Sequence, residues 1–187
     1  LSRIGKIELP EFRPILGSVK TQEYRNKLDF GCANKRYLTK EEIKVNSEKF
    51  ASAVPSGEGT AEANSSLFTI HSSLKTTPAI GFHITGAFDK ILPIEKCWLM
   101  DDLQNQIRNE IRDYAIKAGL SFFDLRQQTG LLRDIIFRNS ASGELMVIAQ
   151  FHYDETGGEQ QAKALLQHIA EQFPQIKSRT YLDNQKC

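Results

Sequence analysis

Two strand-forming stretches joined by a short turn decide the fold. They read Leu131-Leu132-Arg133-Asp134-Ile135-Ile136-Phe137-Arg138 and Leu145-Met146-Val147-Ile148-Ala149-Gln150-Phe151-His152-Tyr153. Both are rich in β-branched and aromatic residues, which favour strands. The intervening Asn139-Ser140-Ala141-Ser142-Gly143 has the composition of a turn, so the two stretches are predicted to form an antiparallel hairpin.

Two amphipathic helices flank this hairpin. The first is predicted over 99–118, where apolar residues recur every three or four positions. The second is predicted over 157–173, where Thr156 and Glu159 have capping-box spacing and Pro174 ends the helix. The polar face of the first helix is predicted to carry Asn105, Arg108, Asn109 and Arg112.

Three further strands are predicted around this unit. Tyr24 to Phe30 alternates with a period of two, and 79–84 and 176–182 are rich in strand formers. Two helices suffice to cover one face of such a sheet. The expected fold class is therefore α+β, a two-layer sandwich in which a mainly antiparallel sheet is covered by two amphipathic helices. The length of 187 residues fits a single domain.

The segment 39–77 departs from this pattern. It is rich in Ser, Thr, Glu, Lys and Ala, its apolar periodicity is weak, and Pro55 and Gly57 lie in its middle. It is predicted to be a flexible surface insertion. Thr39 and Glu42 have capping-box spacing, which predicts a short helical start at 39–44.

The composition excludes several function classes. The chain has 24 basic and 23 acidic side chains and a net charge of +1, so any basic surface must be local. No apolar run approaches the roughly 18 residues that span a bilayer, and no secretory leader is visible. Three widely spaced cysteines suggest reduced thiols. A cytoplasmic location without membrane partners is expected.

Motifs of an autonomous active site are absent from the sequence. There is no glycine-rich nucleotide loop, nucleophile elbow or HExxH zinc motif, and the four histidines are scattered. No catalytic residue and no cofactor is therefore expected in this chain. A small self-sufficient enzyme of unknown class remains an alternative at this point.

A local excess of positive charge is the clearest binding signal. Within residues 20–37 there are five basic and two acidic side chains, interleaved with Tyr24, Phe30 and Tyr37. Cations bind phosphates and aromatic rings stack on unpaired bases, so this mixture on a sheet suits single-stranded RNA. An ordinary solvated sheet face is the alternative. The basic residues considered, including those on later strands, are Lys20, Arg25, Lys27, Lys35, Arg36, Arg133, Arg138, Lys177 and Arg179.

Five segments, taken in order, resemble a known enzyme family. They are Tyr24-Arg25-Asn26-Lys27, Gly81-Phe82-His83, Pro93-Ile94-Glu95-Lys96-Cys97, 130–138 and 143–147. Their order and spacing resemble the central domain of the RNA (uracil-5-)-methyltransferases, most closely those that act on 23S ribosomal RNA. The resemblance covers about 15–38 and 79–183. It implies that residues 1–187 are the RNA-binding central domain of a longer enzyme that methylates C5 of uridine.

The resemblance also implies what this chain lacks. The catalytic cysteine, the base and the S-adenosylmethionine site would lie in a C-terminal domain, and a small RNA-binding domain would lie on the N-terminal side. This chain would contact both and be inactive alone. Cys97 matches the fourth ligand of a [4Fe-4S] cluster in the parent enzyme, and the other three thiolates would come from upstream.

For RNA contacts, the resemblance points to Arg25 and Lys27 and adds Phe82 and His83. The full set of predicted RNA-binding residues is Arg25, Lys27, Lys35, Arg36, Phe82, His83, Arg133 and Arg138. Two alternatives stay open. The domain could be a structural module that positions the cluster and catalytic domains with little RNA affinity, or the substrate could be transfer RNA.

Overall fold

The computed structural model describes residues 2–7, 11, 13–53, 77–153 and 157–184. Its elements are α1 (Ser2–Gly5), β1 (Lys27–Ala33), α2 (Lys40–Ala53), β2 (Ala79–Ile84), β3 (Ala87–Pro93), α3 (Asp102–Lys117), β4 (Leu132–Asn139), β5 (Leu145–Phe151), α4 (Gly158–Gln172) and β6 (Ile176–Asp183). One six-stranded sheet has the order β3-β2-β1-β4-β5-β6. Neighbouring strands are antiparallel except β5 and β6, which are parallel. The α+β prediction is confirmed.

Helices α3 and α4 cover one face of the sheet and form the core with it. Phe30 of β1 and Ile135 of β4 are buried in the same cluster as Ile107 of α3 and Leu165 of α4. Because side chains alternate along a strand, the residues of β1 and β4 that alternate with the buried ones point to the opposite face of the sheet. That second face, called the open face below, includes Lys27, Asp134 and Arg138 by register.

The central hairpin forms as predicted. Asn139 pairs with Leu145 at its closed end. Gly143 has a φ of 84°, a left-handed conformation that glycine adopts without strain. On its other edge β4 pairs with β1, where Arg138 is the Cα partner of Lys27.

The starts of one strand and one helix differ from the sequence prediction, and one strand was not predicted. Strand β1 begins at Lys27 rather than Tyr24, because the N–H groups of Glu23 and Arg25 donate to carbonyl groups at 98 and 99 instead of to the sheet. Helix α3 begins at Asp102 because the carboxylate of Asp101 caps it. Strand β3 was not predicted. It follows β2 through a turn in which Gly86 has a φ of 81°.

The segment 39–77 is partly helical. Thr39 and Glu42 form the predicted capping box: the Thr39 N–H donates to Glu42 Oε2 at 2.9 Å, and the Glu42 N–H donates to Thr39 Oγ1 at 3.2 Å. The helix continues to Ala53. Residues 54–76 lie outside the described residues, as does Thr156, so the flexible insertion and the second capping box stay predictions. Among the helices described, none is long and apolar enough to cross a membrane.

Candidate nucleic-acid interface

A cleft opens where β1 and β2 diverge. The two strands pair only through Gly31–Ala33 and Ala79–Gly81, whereas β1 continues to pair with β4 back to Lys27. A cavity of about 240 Å³ lies beside the unpaired part of β1. Its lining brings together three of the predicted RNA contacts with two neighbours: Arg25, Lys27, Leu28, Asp29 and Phe82.

Exposed cations cluster at this end of the sheet. Lys27 and Arg138 are Cα partners on β1 and β4, and both side chains are exposed. Arg138 also lines an open cavity of about 370 Å³ together with Lys177 of β6 and the acidic Glu144. We call the set formed by Arg25, Lys27, Arg138 and Lys177 the basic edge. Acidic side chains offset part of its charge, since Lys27 Nζ lies 2.8 Å from Asp29 Oδ2 and Glu144 lines the cavity of Arg138.

The aromatic part of the prediction needs correction. Phe30 is 0% exposed and belongs to the core, so it is not available to stack on a base. Phe82 is half-buried, and its ring stacks on Phe30 with centroids 4.9 Å apart. Phe82 therefore forms the wall of the cleft with Phe30 as its support. Tyr24, which precedes β1, is 56% exposed.

Lys35 and Arg36 lie at the opposite end of β1 and are paired within the chain. Lys35 Nζ is 2.8 Å from Asp124 Oδ2, and the guanidinium of Arg36 contacts the carboxylate of Glu42. Burial alone would raise the pKa of Asp124, but hydrogen bonds from Lys35, Asn34 and two backbone N–H groups outweigh it and hold that pKa well below its usual range. The structure does not bring these two cations to the basic edge.

His83 and Arg133 border a small cavity of about 90 Å³ on the open face, together with Asp134. Gly31 makes room for His83, since a Cβ there would lie 2.8 Å from His83 Nε2. Arg133 is 14% exposed in its side chain and stacks over Phe123 at 4.6 Å. Burial raises the pKa of Asp134 to about 6, although the charges of Arg133 and His83 oppose the shift.

The raised pKa of Asp134 predicts a pH dependence of stability. Because the folded chain holds this proton more tightly than the unfolded chain, the free energy of unfolding falls as pH rises from about 4 through about 6. Asp134→Asn removes the cost of the buried charge. We expect it to raise the free energy of unfolding by about 1–2 kcal/mol at neutral pH and to change little below about pH 4. Urea unfolding at both pH values measures this, and a variant that is less stable at neutral pH would contradict it.

Cys97 lies in a hydrogen-bonded loop before α3. It is 5% exposed, and its backbone is held by the buried side chain of Asn105. The Cys97 N–H donates to Asn105 Oδ1 at 2.7 Å, and Asn105 Nδ2 donates to the carbonyl groups of Cys97 at 3.1 Å and of Asp101 at 2.9 Å. The placement of Asn105 on an exposed polar face is thus wrong.

Arg108, also predicted to be exposed, is 1% exposed and lies against the same loop. Its Nη2 donates to the carbonyl of Glu95 at 2.7 Å, whereas its Nε and Nη1 have no partner in the part of the chain that the structure describes. Burial lowers the pKa of Arg108 to about 10, and the nearby Cys97 and Glu95 oppose the shift. Two N–H donors of a buried cation therefore lie unpartnered, among the described residues, beside the loop that carries Cys97.

The sequence offers only a weak signal for these two buried polar residues. Asn105 and Arg108 are one turn apart and flank Ile107, a member of the apolar stripe. Polar residues at the border of an apolar stripe can face the core or the solvent, so periodicity does not predict which of these environments they occupy. Within the described ranges, no group of three or more His, Cys, Asp or Glu side chains is arranged to hold a metal ion.

Comparison with known proteins finds relatives that are named as RNA methyltransferases. No protein-family model matches the chain. An uncharacterized RNA methyltransferase of Bacteroides thetaiotaomicron is 47% identical over 187 residues, which cover 100% of this chain and 36% of that protein. One from Porphyromonas gingivalis is 40% identical over 189 residues, covering 100% of this chain and 35% of that protein. One from Chlorobaculum tepidum is 33% identical over 175 residues, covering 92% of this chain and 30% of that protein.

Among solved structures, the tRNA (uracil-54, C5)-methyltransferase of Pyrococcus abyssi in complex with S-adenosyl-L-homocysteine has a TM-score of 0.44 and 16% identity, over 74% of this chain and 24% of that one. The chain spans about a third of the length of the curated relatives it matches. Over its whole length, this chain is therefore similar to one segment of these two proteins named as RNA methyltransferases, and that segment makes up about a third of each.

Proposed function

We propose that this chain is the RNA-binding central domain of an S-adenosylmethionine-dependent RNA (uracil-5-)-methyltransferase that forms 5-methyluridine in 23S ribosomal RNA. The basic edge is the observation that carries this proposal. It places Arg25, Lys27 and Arg138 at one end of the sheet, next to a cleft walled by Phe82. The similarity to RNA methyltransferases over the whole chain supports it.

In this proposal the chain binds and orients RNA and performs no chemistry itself. The cations hold phosphates, which fix the position of the strand. Methylation of a base carbon requires the target uridine to unstack from its neighbours. Binding of the flanking nucleotides by this chain therefore assists its extrusion. The S-adenosylmethionine site and the catalytic residues belong to a part of the enzyme outside this chain. A cytoplasmic location accompanies this proposal.

Cys97 fits one ligand position of an iron–sulfur cluster in the longer protein. Its loop is held by Asn105, and the unpartnered nitrogens of Arg108 lie close by. A [4Fe-4S] cluster takes four thiolates, so three others would have to come from outside the described residues. When bound, the cluster would join Cys97 to the segment that supplies those thiolates.

A structural module with little RNA affinity is the second candidate. It is favoured by the ion pairs that neutralise Lys27, Lys35 and Arg36 within the chain. The two candidates differ in the affinity of this chain for RNA, and the choice between ribosomal and transfer RNA belongs to the longer enzyme.

Binding of labelled RNA to this chain at several salt concentrations tests the proposal. If this chain contacts two or more phosphates, the logarithm of the affinity should fall linearly with the logarithm of the salt concentration. The slope should be about −0.7 per contact for a single strand. Ribosomal RNA fragments and transfer RNA are compared at equal length. Absence of any salt-dependent binding would favour the structural module.

For the longer enzyme, the product and the metal are separate readouts. Tritiated S-adenosylmethionine and 23S ribosomal RNA should yield 5-methyluridine after digestion. Iron content and visible absorbance of the anaerobically purified protein, with and without Cys97→Ser, test the cluster ligand. Methylation by an iron-free protein would remove the cluster from the proposal and leave the RNA-binding role intact.

A further inference from the structure

The cleft between β1 and Phe82 combines the three kinds of group that contact a nucleotide. Arg25 and Lys27 stand at its rim as cations for phosphate, the ring of Phe82 forms part of its wall, and Asp29 contributes a carboxylate. Its volume of about 240 Å³ has room for a single nucleobase. A base in this cleft must be unstacked from its neighbours.

The divergence of the two strands builds this cleft. Their last paired residues are Gly31 and Gly81, and β2 carries a register irregularity at His83 and Ile84. Phe82 lies between these two features. Its ring is fixed from behind by Phe30 at an interplanar angle of 27°, so it is a preformed surface for stacking. Every nucleobase can stack on an aromatic ring, so this contact does not distinguish one base from another.

Asp29 adds a chemical preference to this sequence-tolerant site. Its Oδ2 accepts a hydrogen bond from Lys27 Nζ at 2.8 Å, and its other oxygen remains an acceptor. A carboxylate attracts the exocyclic amino group of cytosine, adenine or guanine. Uracil has no exocyclic amino group; its one donor on this edge, N3–H, is flanked by the carbonyl oxygens at positions 2 and 4, which the carboxylate repels.

We propose that this cleft binds one unstacked nucleobase with an exocyclic amino group, in a single-stranded segment whose phosphates lie on the basic edge. The base is a neighbour of the methylated uridine and not the uridine itself. The site therefore reads sequence context. This inference rests on the proposed RNA-binding function and adds the class of nucleotide that the chain recognises.

The test compares fluorescein-labelled single-stranded RNA 8-mers of cytidine and of uridine by anisotropy with the full 187-residue chain. We expect the cytidine 8-mer to bind about 5- to 10-fold more tightly, the range of one good hydrogen bond to a base edge. Asp29→Asn should reduce this ratio to less than about 2-fold without weakening the uridine 8-mer, because it removes a negative charge beside Lys27.

The control for charge is Asp102→Asn. Asp102 is also exposed and paired with a lysine, at 2.9 Å from Lys96 Nζ, but it lies outside the cleft. It should keep the ratio of the parent chain. Phe82→Leu should weaken both 8-mers by roughly 5- to 100-fold, since it removes the stacking ring.

The outcomes separate this inference from the proposed function. Salt-dependent binding with equal affinity for both 8-mers, or a ratio that survives Asp29→Asn, would overturn the base site and leave RNA binding in place. Binding of neither 8-mer at low salt would overturn both. Because Asp29 is exposed and outside the core, its variant tests the inference even if Phe82→Leu does not fold.

Discussion

Replacing Arg25, Lys27 and Arg138 together by glutamine is expected to lower the affinity of this chain for single-stranded RNA by about 10- to 100-fold near 0.1 M salt. Lys27 and Arg138 are Cα partners on neighbouring strands, and Arg25 lines the adjoining cleft. Under the proposed function, these three cations are the ones that bind the phosphates of the strand. Their loss should also reduce the magnitude of the salt slope by about 2, at about 0.7 per contact.

A matched variant separates this local effect from net charge. Lys44, Lys117 and Lys163 are exposed cations on helices α2, α3 and α4 rather than on the sheet. Their replacement by glutamine changes the net charge by the same amount. We expect the affinity to fall by less than about 3-fold, because these three cations act on the RNA only through the long-range electrostatic field. Equal losses for both triple variants would show that RNA binding does not use the basic edge.

Asn105→Ala is expected to lower the free energy of unfolding by about 2–4 kcal/mol. Asn105 accepts from the N–H of Cys97 and donates to the carbonyl groups of Cys97 and Asp101. Its removal leaves these buried backbone groups without partners, and each such group carries a desolvation cost of about 1–3 kcal/mol. Chemical denaturation of the purified chain measures the change.

Asn109→Ala is the matched control, one turn further along α3. Asn109 donates one exposed hydrogen bond to the carbonyl of Glu95 at 3.0 Å and accepts one from Arg108 Nη2 at 3.0 Å, and without Asn109 that nitrogen keeps its bond to the carbonyl of Glu95. We expect it to cost less than about 1 kcal/mol. Equal stability of the two variants would mean that the loop carrying Cys97 does not depend on Asn105. Cys97 would then lose the fixed backbone that makes it suited to a ligand position.

Secondary structure was predictable where periodicity and turn chemistry agreed. The stretch from Leu131 to Tyr153 has strand formers on both sides of a turn-forming segment, and it folds as a hairpin. Strand β3 was not predictable in this way. It contains Asp89 and Lys90, and its apolar Ile91 is buried with Ala33 and Ala79 while its backbone bridges to Arg36, contacts that join distant parts of the chain.

The candidate site was only partly predictable, because charge in a sequence does not show which cations are already paired. Arg25, Lys27 and Arg138 are exposed at one end of the sheet, with Lys27 beside the equally exposed Asp29, whereas Lys35 is held by the buried Asp124, 89 residues away in the chain. Phe30 looked available beside basic residues, yet its position on β1 points it into the core. Neither fact follows from local composition.

Photo-crosslinking of RNA that contains 4-thiouridine, followed by mapping of the crosslinked peptides, identifies the surface of this chain that binds RNA. RNA bound at the basic edge should crosslink to residues 24–29, to Phe82 and to the segment 138–146, and Arg25→Gln with Lys27→Gln should reduce the yield. Crosslinks confined to α3 and α4, on the other face of the sheet, would show that RNA does not bind at the basic edge.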